Sequence, residues 1–109
     1  MHVSVTGLRV KAFWQMPVFF WHAVPSFRQA QRAPGVLFAE VCNRGGLQHT
    51  LTVWKDCEAM RDFMTSGAHL KAMRAFRTFA TGRIHGYETD AVPSWDEAIE
   101  QWRIHGREY

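Results

Sequence analysis

Histidine is the side chain in this sequence best suited to acid–base chemistry, because its charge changes near neutral pH. The six histidines are scattered, with no His-x-x-x-His pair, and neither a Cys-x-x-Cys pair nor a cluster of carboxylates accompanies them. A preassembled zinc or iron site is therefore not predicted. The glycines form no phosphate-binding loop, since Gly45 and Gly46 fall in a predicted hairpin. A nucleotide cofactor is therefore not predicted either.

His69 is the histidine whose position is most informative. It begins a helical stripe that continues through Ala72, Met73 and Phe76, the face expected to pack toward a sheet. With an intrinsic pKa of about 6.5, it would act as a base near neutrality or contact a haem or a substrate. The structural alternative is a neutral histidine that bonds a backbone carbonyl. We predict that His69 is catalytic and faces a cavity between this helix and the sheet.

Large side chains elsewhere would supply the walls of such a cavity. Trp54 ends a predicted strand, where it forms either a flat wall for a planar ligand or part of the core. Trp21 and His22 stand beside the main apolar stripe of the first predicted helix, where they would either line the mouth or belong to a wide apolar face of that helix. The residues predicted to bind substrate are Trp54, His22, Trp21, Phe63, Met73 and Arg77.

Arg77 belongs to a basic row in which Lys71, Arg74 and Arg77 recur at every third residue, and Arg83 follows. Such a row is usually a solvated helix face. Beside a pocket, the same groups would hold an anion, such as a substrate carboxylate or a haem propionate.

Hydrophobic periodicity places these residues on a regular succession of strands and helices. The predicted strands cover residues 2–11, 36–42, 47–54 and 81–89, and the predicted helices cover 14–31, 94–105 and a segment that follows Asp56. Asp56 caps this middle helix, and residues 65–67 divide it into two pieces. Ser94 and Glu97 form a capping box at the start of the last helix.

This order predicts a ferredoxin-like α+β fold, βαββαβ, in one domain over residues 1–109 with an extra C-terminal helix. The predicted sheet has four antiparallel strands, with both main helices on one face. Its other face would be apolar and open, which predicts a second copy packed against it in a homodimer. Gly7 is predicted to form a bulge in the first strand.

Composition supports one well-filled core and excludes several classes of function. Of the 109 residues, 47% are hydrophobic and 14% are aromatic, as in a folded domain. The net charge is +3, but the arginines are dispersed, so no nucleic-acid partner is predicted. No apolar run approaches the roughly 20 residues of a membrane span. With no export signal, and with Cys42 and Cys57 expected to stay reduced, we expect a cytoplasmic protein.

Short motifs in the chain resemble a known group of proteins. The segments are residues 52–56 (Thr-Val-Trp-Lys-Asp), 66–69 (Ser-Gly-Ala-His) and 92–98 (Val-Pro-Ser-Trp-Asp-Glu-Ala). They resemble uncharacterised families of the dimeric α+β barrel superfamily, which includes the antibiotic-biosynthesis monooxygenases. Residues 33–38, with Cys42 and Gly45, are similar to spheroidene monooxygenase, a haem-containing carotenoid oxygenase. The resemblance implies oxygenation of a planar or isoprenoid apolar substrate, either cofactor-free or assisted by haem.

The haem-degrading members of that superfamily carry a tryptophan and a haem-ligating histidine at the positions of Phe63 and Met73. Their pattern is therefore not met, and a haem would need His69 or His22 as its ligand. A cofactor-free reaction would start from deprotonation of the substrate by His69, with the protein supplying orientation and a dry cavity.

A non-catalytic role is the alternative. A dimeric module of the same fold would bind a small apolar ligand or a partner, with the C-terminal tryptophan helix as a lid or docking surface. The lack of a convincing catalytic set in the sequence favours this interpretation.

Overall fold

The structure, a computed structural model, describes residues 1–65 and 67–108, apart from the side chains of residues 68 and 76–79. The strands are β1 (His2–Val10), β2 (Val36–Arg44), β3 (Leu47–Trp54), β4 (Ala80–Glu88) and β5 (Arg107–Glu108). The helices are α1 (Met16–Arg32), α2 (Cys57–Met64), α3 (Gly67–Phe79) and α4 (Trp95–His105), and a 3-10 helix, Phe13–Gln15, precedes α1. Among the described helices, none combines the length and the apolar character that crossing a bilayer requires.

The sheet is antiparallel, with the strand order β2-β3-β1-β4-β5. The first four strands and the helices between them follow the predicted ferredoxin-like order. The prediction of four strands is wrong by one. After α4 the chain returns along β4, where Arg83 pairs with Glu108 and Ile84 pairs with Arg107. The Arg83 guanidinium donates to the Gly106 carbonyl oxygen over 2.7 Å and stabilises this return.

Local sequence signals set the turns and the helix starts. Gly45 and Gly46 have φ angles of +60° and +79°, so two consecutive residues of the β2–β3 hairpin occupy the left-handed region that favours glycine. The Asp56 carboxylate caps α2 and the Ser94 hydroxyl caps α4, each accepting a hydrogen bond from a backbone N–H, over 2.8 and 3.2 Å. The predicted division of the middle helix is confirmed, because α2 ends at Met64 and α3 starts at Gly67.

The apolar side of the strands faces α4. Val3, Val5, Leu51 and Val53 are fully buried there and pack in one cluster with Trp102. The prediction that this face is open and needs a second copy to cover it is therefore wrong, because α4 of the same chain covers these side chains. The reason is the capped C-terminal helix, whose own apolar stripe needs a surface to pack against.

Gly7 lies where α4 comes closest to the sheet. The predicted bulge at Gly7 is wrong, because β1 keeps a continuous register with β3 and β4 across this residue. The irregularity lies instead in β2, between Val36 and Phe38. Glycine is needed at position 7 because a Cβ atom there would lie 2.3 Å from Cζ2 of Trp102. The Trp102 indole N–H donates to the Arg83 carbonyl oxygen over 2.9 Å, which fixes the ring over the strand.

The other side of the sheet faces α1, α2 and α3. One cluster is centred on Leu8 and Phe19, and a second is centred on Trp54 and Phe63. Between these two clusters the strands present polar side chains to the helices, and this is where a cavity lies.

Gly7→Ala should lower the free energy of unfolding by about 1–3 kcal/mol, the usual cost of overpacking a filled core, because Trp102 must move away. Urea unfolding followed by circular dichroism measures this loss. Trp102→Leu makes room beside position 7, so the added methyl group should cost less in that background than in the wild type. Equal costs in the two backgrounds would contradict the contact.

Candidate active site

A cavity of about 290 Å³ lies between the sheet and the helices α1, α2 and α3. Its volume is at the lower end of the roughly 300–1,000 Å³ typical of small-molecule sites. Its floor is formed by polar side chains of the sheet, which are Ser4, Thr6, Gln48, Thr50 and Thr52. Polar groups are unusual where a sheet meets its covering helices, and here they give the cavity one polar side.

The walls of the cavity are apolar and come from the helices. The main contributors are Phe19, Ala23 and Phe27 of α1, with Met60, Phe63, Met64, Ala72 and Met73 of α2 and α3. Methionine side chains adapt to irregular apolar shapes, and phenylalanine rings present flat apolar surfaces. The cavity therefore combines an apolar enclosure with a few polar groups on one side.

Exposed side chains mark where the cavity meets solvent. Phe20, Val24 and Arg28 of α1 and Val41 of the edge strand β2 line the cavity and are also exposed. The mouth therefore lies between α1 and β2, and Arg28 places a positive charge beside it.

His69 lines the cavity from the first turn of α3. Its backbone N–H donates to Oε1 of Gln29 on α1 over 3.0 Å, and its ring centroid lies 4.4 Å from that of Phe63. Gly67, with a φ angle of +56°, opens α3 two residues earlier. The break between α2 and α3 thus brings the histidine into the cavity wall.

The electrostatics of His69 are those of a neutral base. Burial lowers its pKa below the ordinary histidine value, and the Met64 carbonyl offsets part of this shift. The ring is therefore neutral at pH 7. Its Nδ1 lies 3.3 Å from the Met64 carbonyl oxygen, and because a carbonyl only accepts, we infer that Nδ1 carries the proton. The lone pair then lies on Nε2, which can accept a proton from a substrate.

Three of the residues predicted for the site lie together, since His69, Phe63 and Met73 all line the cavity. Trp54 is not among the described lining residues. It is fully buried, and its ring stacks on that of Phe63 at 5.1 Å between centroids. Its contribution is therefore to support a lining residue, as expected of the core interpretation.

Trp21 and His22 are also not among the described residues that line the cavity. Trp21 is 77% exposed, because it lies on the side of α1 opposite the buried Phe19. The position predicted for Trp21 at the pocket mouth is therefore corrected, and its neighbour Phe20 lies there instead. Arg77 belongs to α3, but its side chain lies outside the described part of the chain, so its anion contact stays a prediction.

Sequence reasoning missed the polar floor and Arg28. The signal for the floor was an alternation, since Ser4 and Thr6 in β1, like Thr50 and Thr52 in β3, alternate with buried apolar residues. A strand that is polar on one side faces either solvent or a polar site. Only the helices that cover this side distinguish the two cases.

The cavity does not fit a haem. A porphyrin is larger than the drug-sized ligands that fill cavities of about 300 Å³. Arg28 is the one Lys or Arg side chain in the described lining, whereas a haem brings two propionates. His22, the other predicted ligand, lies outside this described lining. We therefore derive no haem-dependent step.

The fold matches that of several solved oxygenase structures. A proposed antibiotic biosynthesis monooxygenase from Deinococcus radiodurans gives a TM-score of 0.74 at 17% identity, over 86% of this chain and 97% of that chain. SnoaB, a cofactor-independent oxygenase from Streptomyces nogalater, gives a TM-score of 0.68 at 16% identity, over 85% of this chain and 97% of that chain. A proposed antibiotic biosynthesis monooxygenase from Nitrosomonas europaea gives a TM-score of 0.73 at 11% identity, over 84% of this chain and 100% of that chain.

The chain therefore has the fold of the antibiotic-biosynthesis-monooxygenase structures, and the resemblance drawn from the sequence motifs is confirmed at the level of fold. No family model matches the chain, and no curated protein matches it either.

Thr52→Val should lower the free energy of unfolding by about 1–3 kcal/mol, because it leaves the buried Trp54 indole N–H without its acceptor. The Thr52 hydroxyl accepts that bond over 2.9 Å and donates to the Ser4 carbonyl oxygen over 3.4 Å. Thr50→Val is the matched control, since the described residues give the Thr50 hydroxyl no hydrogen bond. Denaturant unfolding of both variants measures the difference, and equal losses would argue against the indole bond.

Proposed function

We propose that the chain is an oxygenase that acts on a planar or isoprenoid apolar substrate without a cofactor. One observation carries the proposal: a neutral histidine, His69, lines an apolar cavity whose floor bears hydroxyl groups. The likeness in fold to SnoaB, a cofactor-independent oxygenase, supports the same class of reaction.

His69 would start the reaction by accepting, at Nε2, a proton from an acidic C–H or O–H group of the substrate. The resulting anion is electron-rich and reacts with O2 directly. For a substrate with an activated methylene group, the change balances as CH2 + O2 → C=O + H2O. One oxygen atom enters the substrate and the other leaves as water, and the substrate supplies all four electrons.

The polar floor would stabilise the anion formed by His69. A negatively charged substrate oxygen would accept hydrogen bonds from hydroxyl groups such as those of Thr6 and Thr50. Arg28 at the mouth would bind an acidic group at the outer end of the substrate. Phe63 and Met73 would hold its apolar body and orient the reacting carbon.

His69→Gln should reduce turnover by about 10²–10⁴-fold, the usual contribution of a positioned general base. Glutamine keeps a polar side chain of similar length but removes the base. Turnover is measured as O2 consumption with anthrone, a planar tricyclic compound with an acidic methylene group. His105→Gln, which changes an exposed histidine on α4, is the matched control and should keep the wild-type rate.

The pH profile separates a base from a residue that only supports the fold. Only the neutral imidazole accepts a proton, and burial lowers the pKa of His69. The fall of wild-type kcat/KM at acidic pH should therefore have its midpoint below about pH 6.5, the ordinary histidine value. His69→Gln should remove this acidic fall, and its persistence would assign the titration to another group.

One observation favours the binding-module alternative. The titratable side chains in the described lining are only Arg28, His49 and His69, which is a small set for catalysis. Quenching of tryptophan fluorescence measures whether anthrone binds to the wild-type chain. Binding without any O2 consumption would support the binding module over the oxygenase.

We also propose that two copies form a homodimer. Val92 and Ile104 leave exposed apolar surface beside and on α4, with 44% and 54% of their areas accessible. Light scattering at micromolar concentration should give a mass about twice the 12.6 kDa of one chain. Ile104→Asp should shift this mass toward that of the monomer, and a monomeric wild type would contradict the proposal.

A further inference from the structure

The outer side of α1 is apolar, although its inner side already packs on the core. Phe19 and Ser26 are buried, and Trp21 lies on the opposite side of the helix. The exposed residues on that side include Pro17, Val18, Trp21, Val24, Pro25, Arg28 and Arg32. Phe13 and Trp14, in the 3-10 helix before α1, continue the surface and are 84% and 70% exposed. These residues together form the α1 outer surface.

An exposed apolar surface of this kind marks an interaction site. A helix that is apolar on both sides typically packs on its own protein with one side and on another apolar surface with the other. Trp14 and Trp21 are its largest side chains. Tryptophan is enriched where apolar and aqueous phases meet, because its ring is apolar and its indole N–H is polar.

The charged residues of the chain segment that carries the α1 outer surface are all positive. Residues 1–39 contain Arg9, Lys11, Arg28 and Arg32 but no Asp or Glu. Lys11 lies at one end of the surface in sequence, Arg28 and Arg32 lie at the other, and all three are exposed. A partner that complements it must therefore be apolar and negatively charged.

A second copy of this chain does not meet that requirement. A two-fold contact through the same surface would bring the cations of one copy, Lys11 and Arg28, close to the cations of the other, with no acid from this segment to balance them. A bilayer with anionic phospholipids offers both features, since its headgroups attract the cations and its interface accommodates tryptophan rings. We propose that the α1 outer surface docks the protein on an anionic phospholipid bilayer.

The cavity opens at this same surface. Val24 and Arg28 belong both to the α1 outer surface and to the cavity lining. Docking would hold the mouth at the lipid, so that an apolar ligand dissolved in the bilayer passes into the cavity. This route rests on the proposed function, whereas the docking itself does not.

Sedimentation of the full chain with vesicles tests the docking. The wild type should sediment with phosphatidylcholine vesicles that contain phosphatidylglycerol, and much less with vesicles of phosphatidylcholine alone. Added salt should release the bound protein. The double variant Trp14→Ser, Trp21→Ser should bind roughly tenfold more weakly or worse. Lys11→Gln and Arg28→Gln should each weaken binding by about fivefold. Leu37→Ser, which changes an exposed apolar residue on β2, is the matched control and should bind like the wild type.

Equal binding of the double tryptophan variant and the wild type would overturn the proposal, as would binding that salt and lipid charge do not affect. Light scattering tests whether the double tryptophan variant still self-associates. If the variant loses self-association but keeps vesicle binding, the surface contacts a second copy, and the docking proposal is overturned. Quenching of the wild-type tryptophans by brominated phospholipids tests the docking without any substitution, and its absence would count against docking. His69→Gln should bind vesicles normally, so failure of the oxygenase assay is distinguishable from failure of docking.

Discussion

The close approach of Trp102 to Gly7 determines which side of the sheet is available for function. With no Cβ at position 7, the indole lies directly on β1 and donates to the Arg83 carbonyl oxygen of the neighbouring strand β4. The His49 ring meets it edge-on at 4.8 Å between centroids, and the Arg83 guanidinium lies over it at 5.5 Å. These contacts hold α4 against strands whose apolar side chains would otherwise need another partner.

Strand alternation carries this constraint across the sheet. Successive side chains of a strand point to opposite sides, so burying Val3 and Val5 under α4 directs Ser4 and Thr6 toward the cavity. A one-residue slip of β1 would bring its hydroxyl groups under α4 and its valines into the cavity. The polar floor therefore depends on the same register that Gly7 and Trp102 fix from the other side.

The range of each interaction explains how much of this was predictable from the sequence. The hairpin at Gly45, the cap at Asp56 and the helix break before His69 depend on residues a few positions apart, and the sequence predicted all three. The destination of α4 depends on Gly7 and Trp102, near opposite ends of the chain, and local patterns do not contain it. The side of α1 that faces the cavity was equally hidden, because Trp21 on its outer side is as apolar as the residues on its inner side.

The helix break also explains how a structural and a chemical role can coincide in His69. The last carbonyls of α2 and the first N–H groups of α3 have no partners within their own helices. The His69 ring satisfies the carbonyl of Met64, and Gln29 accepts the backbone N–H of His69. The bond that makes the histidine structural therefore also selects its tautomer, since the proton on Nδ1 leaves Nε2 as the acceptor. Burial lowers the pKa of this ring and favours its neutral form, so the structural hydrogen bond is compatible with the proposed role of His69 as a base.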